Sequence, residues 1–249
     1  MAKSKYSAPL IESAYKELFP VKDVNRALLT PHINRMLIIV NIMIFLMMML
    51  SDFRIINGDF AVDVMERFSM TPAEIINGVR VHTLFTSMFL HAGFLHLFGN
   101  MIYLYIFGDN VEGVFGHLSY LVFYVVCGLA AGLTHILVIA DPQLYSVPVI
   151  GASGAISGVL GGYLVLYPKA KILTVVIYGL PIVVPVPAIL FLGFWFLMQW
   201  LLGIYDVFIF QGSGGVAYWA HVGGFIAGLI LALSFGLKRK KDREARLRT

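Results

Sequence analysis

Charge is what this sequence has least of. Asp, Glu, Lys and Arg make up only 13% of its 249 residues, where a soluble globular domain carries roughly 25%. Cysteine is nearly absent as well. The single one, Cys127, excludes an intramolecular disulfide and a cysteine-rich metal site. No short apolar core followed by a cleavage site lies in the first part of the chain, so residues 1–34 do not read as a secretory signal. The first apolar span is therefore expected to stay in place as an uncleaved anchor. The apolar runs themselves contain no carboxylate: Asp109 and Glu112 fall at the end of the second run, and Asp141 and Asp206 fall in loops.

Hydrophobic residues make up 59% of the chain, gathered into runs near the ~20 residues that cross a bilayer core. Six are expected, at 35–51, 94–107, 118–140, 149–167, 187–203 and 216–237. The second is lengthened by an apolar lead-in at 84–91. In lipid every backbone polar group must be paired within its own element or a closed barrel. The fold class is accordingly an all-α membrane protein, a polytopic bundle of six transmembrane helices. Its domains are a polar N-terminal extension (1–34), the bundle (35–237, with a long amphipathic loop at 52–90) and a basic tail (238–249). Pro181, Pro185 and Pro187 break any helix running from Ile172 into span five.

The net charge of +4 does not indicate nucleic acid, because the basic residues sit at the two ends. Lys3, Lys5, Lys16, Lys22, Arg26 and Arg35 precede the first span, and Lys238 to Arg248 follow the last. Loop 52–90 holds Asp52, Asp59, Asp63, Glu66 and Glu74 against Arg54, Arg67 and Arg80. Positive residues favour the cytoplasmic side, so both termini are expected there, in a bacterial inner (plasma) membrane.

Polar groups inside spans are costly and mark function by default. They are His91, His96 and Asn100 near span two, His135 in span three, Ser153 and Ser157 in span four, Gln199 in span five and His221 in span six. The expected topology brings His96, Asn100, Ser153 and His221 to one depth, near the outer surface. Ser153 follows Pro148 closely, at a helix start whose first N–H groups lack intrahelical acceptors and suit an oxyanion. Gly151, Ala152 and Gly154 leave room for a substrate backbone. A serine hydroxyl needs a base, and histidine has the matching pKa. His221, Gly224 and Gly228 share one helix face, and the series Gly154/Gly158/Gly162 and Gly224/Gly228 let two helices approach closely. His96 and Asn100, at i and i+4, can both donate to one oxygen. His91 points elsewhere by this spacing and orders the loop, while His135 reads as structural.

The stretches HAGFLHLFGN, GASGAISG and AHVGGFIAG, with FGDNVEG at 107–113, resemble the rhomboid family of intramembrane serine proteases over roughly residues 35–237. The resemblance implies a Ser153–His221 dyad in a water-filled cavity, with an oxyanion hole from the Ser153 N–H, His96 and Asn100. It also implies cleavage of single-span membrane proteins at a small residue near the outer end of their helix, without metal, cofactor or ATP. Some members carry an aromatic ring four residues after the nucleophile, beneath the histidine. Here that position is Ser157, which leaves the ring's support to Tyr218, Trp219 or Tyr103.

Rival chemistries fit less well. A zinc protease needs a motif such as HExxH, which is absent. Asp109 and Asp206, a superficial aspartyl pair, fall on opposite sides of the membrane in the expected topology. A histidine-bearing transporter would carry inverted repeats, and none is visible. The alternative within the resemblance is a catalytically weak relative that binds membrane clients. The expected partners are transmembrane substrates and the lipid bilayer, with no nucleic acid and no metal.

Overall fold

The computed structural model describes residues 18–139, 142–178, 180–207 and 215–247. Lys3, Lys5, Lys16, Asp141 and Arg248 lie outside them. In chain order come β1 (Leu18–Asp23), α1 (His32–Asp52), α2 (Phe60–Phe68), α3 (Pro72–Ile76), α4 (Thr83–Thr86), α5 (Phe94–Phe115), α6 (His117–Val138), α7 (Ser153–Leu166), β2 (Lys171–Tyr178), β3 (Leu180–Pro187), α8 (Ala188–Tyr205), α9 (Tyr218–Leu231) and α10 (Leu237–Arg246).

Among the described residues, α1, α6, α8 and the continuous rod from Tyr218 to Arg246 are long and apolar enough to cross a membrane. A fifth span results if α5 is taken together with the segment Thr83–Phe89, which meets it at 96°. The fourth expected span is shorter than the sequence suggested: α7 has 14 residues, about 21 Å at 1.5 Å per residue. It begins only at Ser153, because residues 149–151 are not helical and Ala152 is its N-cap. Val149 pairs with Met70 of the long loop, and the Gly151 N–H donates to the Ser87 carbonyl at 2.9 Å.

Helix α7 stands at the centre. Every residue from Gly154 to Tyr163 is buried, which only a helix wrapped by others achieves. Its small residues explain how. A Cβ on Gly224 would run into the Gly154 carbonyl, and one on Gly228 into the Gly158 carbonyl, so α7 and α9 touch backbone to backbone. Helix α6 closes the other flank, where fully buried Cys127 meets Gly158. By contrast α1 leaves Met36, Ile39, Met43, Leu46 and Met47 exposed, the face of a helix at the bundle's edge toward lipid.

Beside the helical bundle stands an element that was not expected, a three-stranded antiparallel sheet in the order β1-β2-β3. It lies at the end of the bundle opposite Ser153, since β2 follows the far end of α7. The run KILTVVIY is rich in β-branched residues that suit a strand. Pro181, Pro185 and Pro187 sit two or four residues apart in β3, so their nitrogens share one side. That side faces away from β2, where an edge strand needs no donor. Strand β1 belongs to the segment expected to be a polar extension, yet it pairs with β2 from Leu18↔Val176 to Asp23↔Ile172.

Buried polar groups tie this end together, among them two carboxylates that lie outside the expected apolar runs. Glu112 is fully buried. Its carboxylate accepts the N–H groups of Ile33 (3.0 Å) and Asn34 (2.7 Å), capping the start of α1, where donors otherwise lack partners. His117 Nδ1 lies 2.5 Å from the same carboxylate. Asp23 accepts hydrogen bonds from Asn110 and from the Tyr163 hydroxyl, both at 2.7 Å, joining β1 to α5 and α7. Part of the basic tail also has a structural task. Arg239 and Arg243 donate to the Phe115 and Val114 carbonyls at 2.9 Å, and Lys240 to the Leu166 carbonyl at 2.6 Å. These cations satisfy the open C-terminal ends of α5 and α7.

Candidate active site

Ser153 is the first residue of α7, so its N–H belongs to the first turn, where no intrahelical acceptor exists. Its hydroxyl lies 2.8 Å from His221 Nε2. The α7–α9 contact through Gly154 and Gly224 makes this approach possible: His221 sits one turn before Gly224 on the same face of α9. The other ring nitrogen, Nδ1, stands 2.7 Å from Gln199 Oε1 of α8. Gln199 is 3% exposed.

Beside the His221 ring stands an aromatic residue that the sequence did not single out. Trp195 of α8, one turn before Gln199, places its ring 6.0 Å from that of His221. Trp195 is backed in turn by Phe225, 6.0 Å away, and Phe225 by Phe196 at 4.6 Å. The indole of Trp219 is engaged elsewhere, donating to the Gly203 carbonyl at 3.1 Å. Ser157, the rival hydroxyl, donates to the Ser153 carbonyl at 2.6 Å and is 1% exposed. It is tied into its own helix and cannot serve as a nucleophile in that rotamer.

Gly151 adopts φ +126°, a conformation open to glycine and strained for other residues. The space a Cβ would occupy there is bordered by His96 Nε2 at 2.9 Å and Ser153 Oγ at 3.7 Å. An atom over Gly151 therefore meets the hydroxyl and the His96 imidazole together. Asn100, one turn along α5 from His96, is 7% exposed, and its Nδ2 has no hydrogen-bond partner among the described residues. A buried donor without an acceptor is costly, and it fits a group waiting for an oxygen. His91 lies ahead of α5, so helical spacing does not govern it. Rather than pointing away, its ring stands edge-on to His96 at 5.0 Å.

A cavity of about 890 Å³ opens beside these residues, lined by His96, His135, Met65, Val149, Tyr218 and Trp219 among others. His135, expected to be structural, thus faces the cavity. Asp206 borders it too. Asp109 sits thirteen residues along α5 from His96, about 20 Å at 1.5 Å per residue, so the two aspartates do not meet.

Residues 79–238 match the rhomboid domain model, nearly two thirds of the chain. The chain belongs to the rhomboid family. Similar proteins include "RHOMBOID-like protein 12, mitochondrial" of Arabidopsis thaliana, 29% identical over 76% of this chain and 54% of that protein. "Rhomboid protein 1, mitochondrial" of Saccharomyces cerevisiae is 30% identical over 65% of this chain and 44% of that protein. "Rhomboid protease GluP" of Bacillus subtilis is 33% identical over 63% of this chain and 26% of that protein. This rhomboid spans about half the length, or less, of the curated relatives it matches. Its spans make it an integral membrane protein. The expected bacterial inner membrane finds no support in relatives whose names place them in mitochondria.

Proposed function

We propose that this rhomboid is a serine endopeptidase that cuts single-span membrane proteins within or near the end of their helix, using Ser153 as nucleophile and His221 as base. The observation that carries the reading is the 2.8 Å contact between Ser153 Oγ and His221 Nε2 at the start of a buried helix. In this mechanism His221 Nε2 takes the hydroxyl proton as Oγ attacks the scissile carbonyl carbon. The carbonyl oxygen, now negative, moves toward the Ser153 N–H, His96 and Asn100. Collapse of this intermediate breaks the C–N bond, and His221 delivers its proton to the leaving nitrogen. A water molecule, deprotonated by the same imidazole, then hydrolyses the acyl-serine ester and regenerates the hydroxyl.

Gly151 keeps the approach clear, and His91 steadies the His96 ring. The proposed arrangement in the membrane is six spans with both termini on the cytoplasmic side, the shorter α7 being sheltered from lipid by its neighbours. The site then lies toward the outer surface, where the end of a substrate helix emerges.

The reading is tested by incubating the purified protein, with and without EDTA, with a panel of single-span membrane proteins and sequencing the new termini. Cuts after small residues near one helix end, absent with Ser153→Ala and unaffected by the chelator, are expected. Clients bound but never cut would favour the catalytically weak relative.

A further inference from the structure

The dyad needs more than a short distance: it needs the proton on the correct nitrogen of His221. Imidazole has two neutral tautomers, and only the one protonated at Nδ1 leaves a lone pair at Nε2 for the serine proton. Something must choose between them. A carboxylate does so in the Ser-His-Asp arrangement, but among the described residues the buried carboxylates, Asp23 and Glu112, belong to the sheet end of this molecule. Beside Nδ1 stands the side-chain carbonyl of Gln199, at 2.7 Å.

We infer that Gln199 is a positioning residue of this active site, accepting the His221 Nδ1–H and so holding the imidazole in the tautomer that can deprotonate Ser153. This rests on the dyad proposed above. A glutamine buried in a membrane helix is costly without partners, and this one directs its oxygen at the one imidazole nitrogen that catalysis leaves unused. Trp195, at i−4 on the same helix, faces the ring. Helix α8 therefore grips His221 twice, at its face through an aromatic contact and at its edge through a hydrogen bond. A neutral amide acts unlike an aspartate: it orients the ring and strengthens its bond when the imidazolium forms, without adding a full negative charge. Among the described residues, Ser153 of α7 also contacts His221, and the titratable groups whose charge would act on it are His96 of α5 and His135 of α6. None of them is anionic.

The test compares wild type, Gln199→Met, Gln199→Glu and Ser153→Ala in the full chain, with active sites counted by a fluorophosphonate and cleavage of one transmembrane substrate followed against pH. Gln199→Met keeps the length and suits the apolar surroundings, but it replaces the amide oxygen with a thioether that is only a weak acceptor. Its kcat per active site should fall roughly tenfold, the worth of one orienting hydrogen bond, with KM unchanged. Gln199→Glu should restore the acceptor and hold the imidazolium more firmly. Its kcat should recover at alkaline pH, and the acid limb of its kcat/KM profile should move up by about one pH unit. A merely structural glutamine would lower the thermal midpoint or the fraction of active sites in both variants, leaving kcat per site and the acid limb in place; that result overturns the inference. Should Gln199→Met not fold, the pH profile of Gln199→Glu alone decides. If Ser153→Ala cleaves like wild type, the dyad itself fails and this inference with it. If Ser153→Ala is inactive while both Gln199 variants match wild type, the dyad stands and only the role of Gln199 falls.

Discussion

A membrane helix tolerates so few polar side chains that each one is informative. Ser153, His221, His96 and Asn100 were legible for that reason: an expected topology puts them at one depth, and helical spacing turns two pairs onto shared faces. Gln199 was visible as a polar residue but not as a partner of His221, since sequence does not fix how α8 is rotated against α9. Trp195 gave no signal among Phe191, Phe194, Phe196 and Trp200 on the same helix. Removing one well-placed oxyanion donor costs on the order of 10²–10³ in kcat, and water in a cavity replaces part of it. Asn100→Ala should therefore lose about a hundredfold or somewhat less in kcat, with KM little changed, because the charge it meets develops only in the transition state. His96→Ala should cost at least as much, and the double variant less than the sum, since both act on one oxygen. Steady-state kinetics on one substrate check this; a raised KM with kcat intact would make Asn100 a substrate-positioning group.

At the scale of elements, the small-residue series foretold the α7–α9 contact, and the basic ends foretold where charge would gather. The sheet was missed although KILTVVIY carries strand-forming residues: Pro181, Pro185 and Pro187 of the neighbouring β3 read as helix breakers before span five, and the other partner strand, β1, lies about 150 positions earlier. The cap that Glu112 gives to α1 is hidden for the same reason: its acceptors and donors meet only in three dimensions. Backbone contact leaves no space for a methyl group at Gly228, so Gly228→Ala should cost about 1–3 kcal/mol and lower activity by parting Ser153 from His221. Gly193→Ala, with open space around it, should do neither; thermal unfolding of the two variants separates them. The sheet end adds a pH dependence. Burial pushes the Asp23 carboxyl up to about 6 from 3.8, against the Tyr163 hydrogen bond that lowers it. A carboxyl whose folded pKa lies above its unfolded one binds more protons in the native state, so its contribution is full below 3.8 and lost as pH rises to about 6. Asp23→Asn keeps an acceptor for Tyr163 and removes the charge. Its thermal midpoint should therefore gain on wild type as pH rises from about 4 to about 7; a gap that stays constant with pH would show that Asp23 does not titrate there.

For the whole molecule, the helical membrane architecture was legible from hydropathy alone, while the length of α7 was not. Residues 149–151 look apolar enough for a helix, but Val149 and Gly151 are held out of it by backbone hydrogen bonds to Met70 and Ser87 of a loop far away in sequence. The proposed topology, argued from charge bias, can be tested chemically, since the one native cysteine, Cys127, is fully buried. Single cysteines in a Cys127→Ala background, at Asp59 in the acidic loop and at Lys241 in the basic tail, should react with a membrane-impermeant maleimide from opposite faces of sealed vesicles. Reaction from one face would contradict the six-span arrangement. The account as a whole depends on one activated hydroxyl, and the most direct measurement is to locate a fluorophosphonate adduct by mass spectrometry in wild type and His221→Ala. The adduct is expected on Ser153 in wild type and should be nearly lost when His221 is removed, because an unactivated hydroxyl is a poor nucleophile. An adduct on Ser157, or equal labelling of Ser153 without His221, would contradict it.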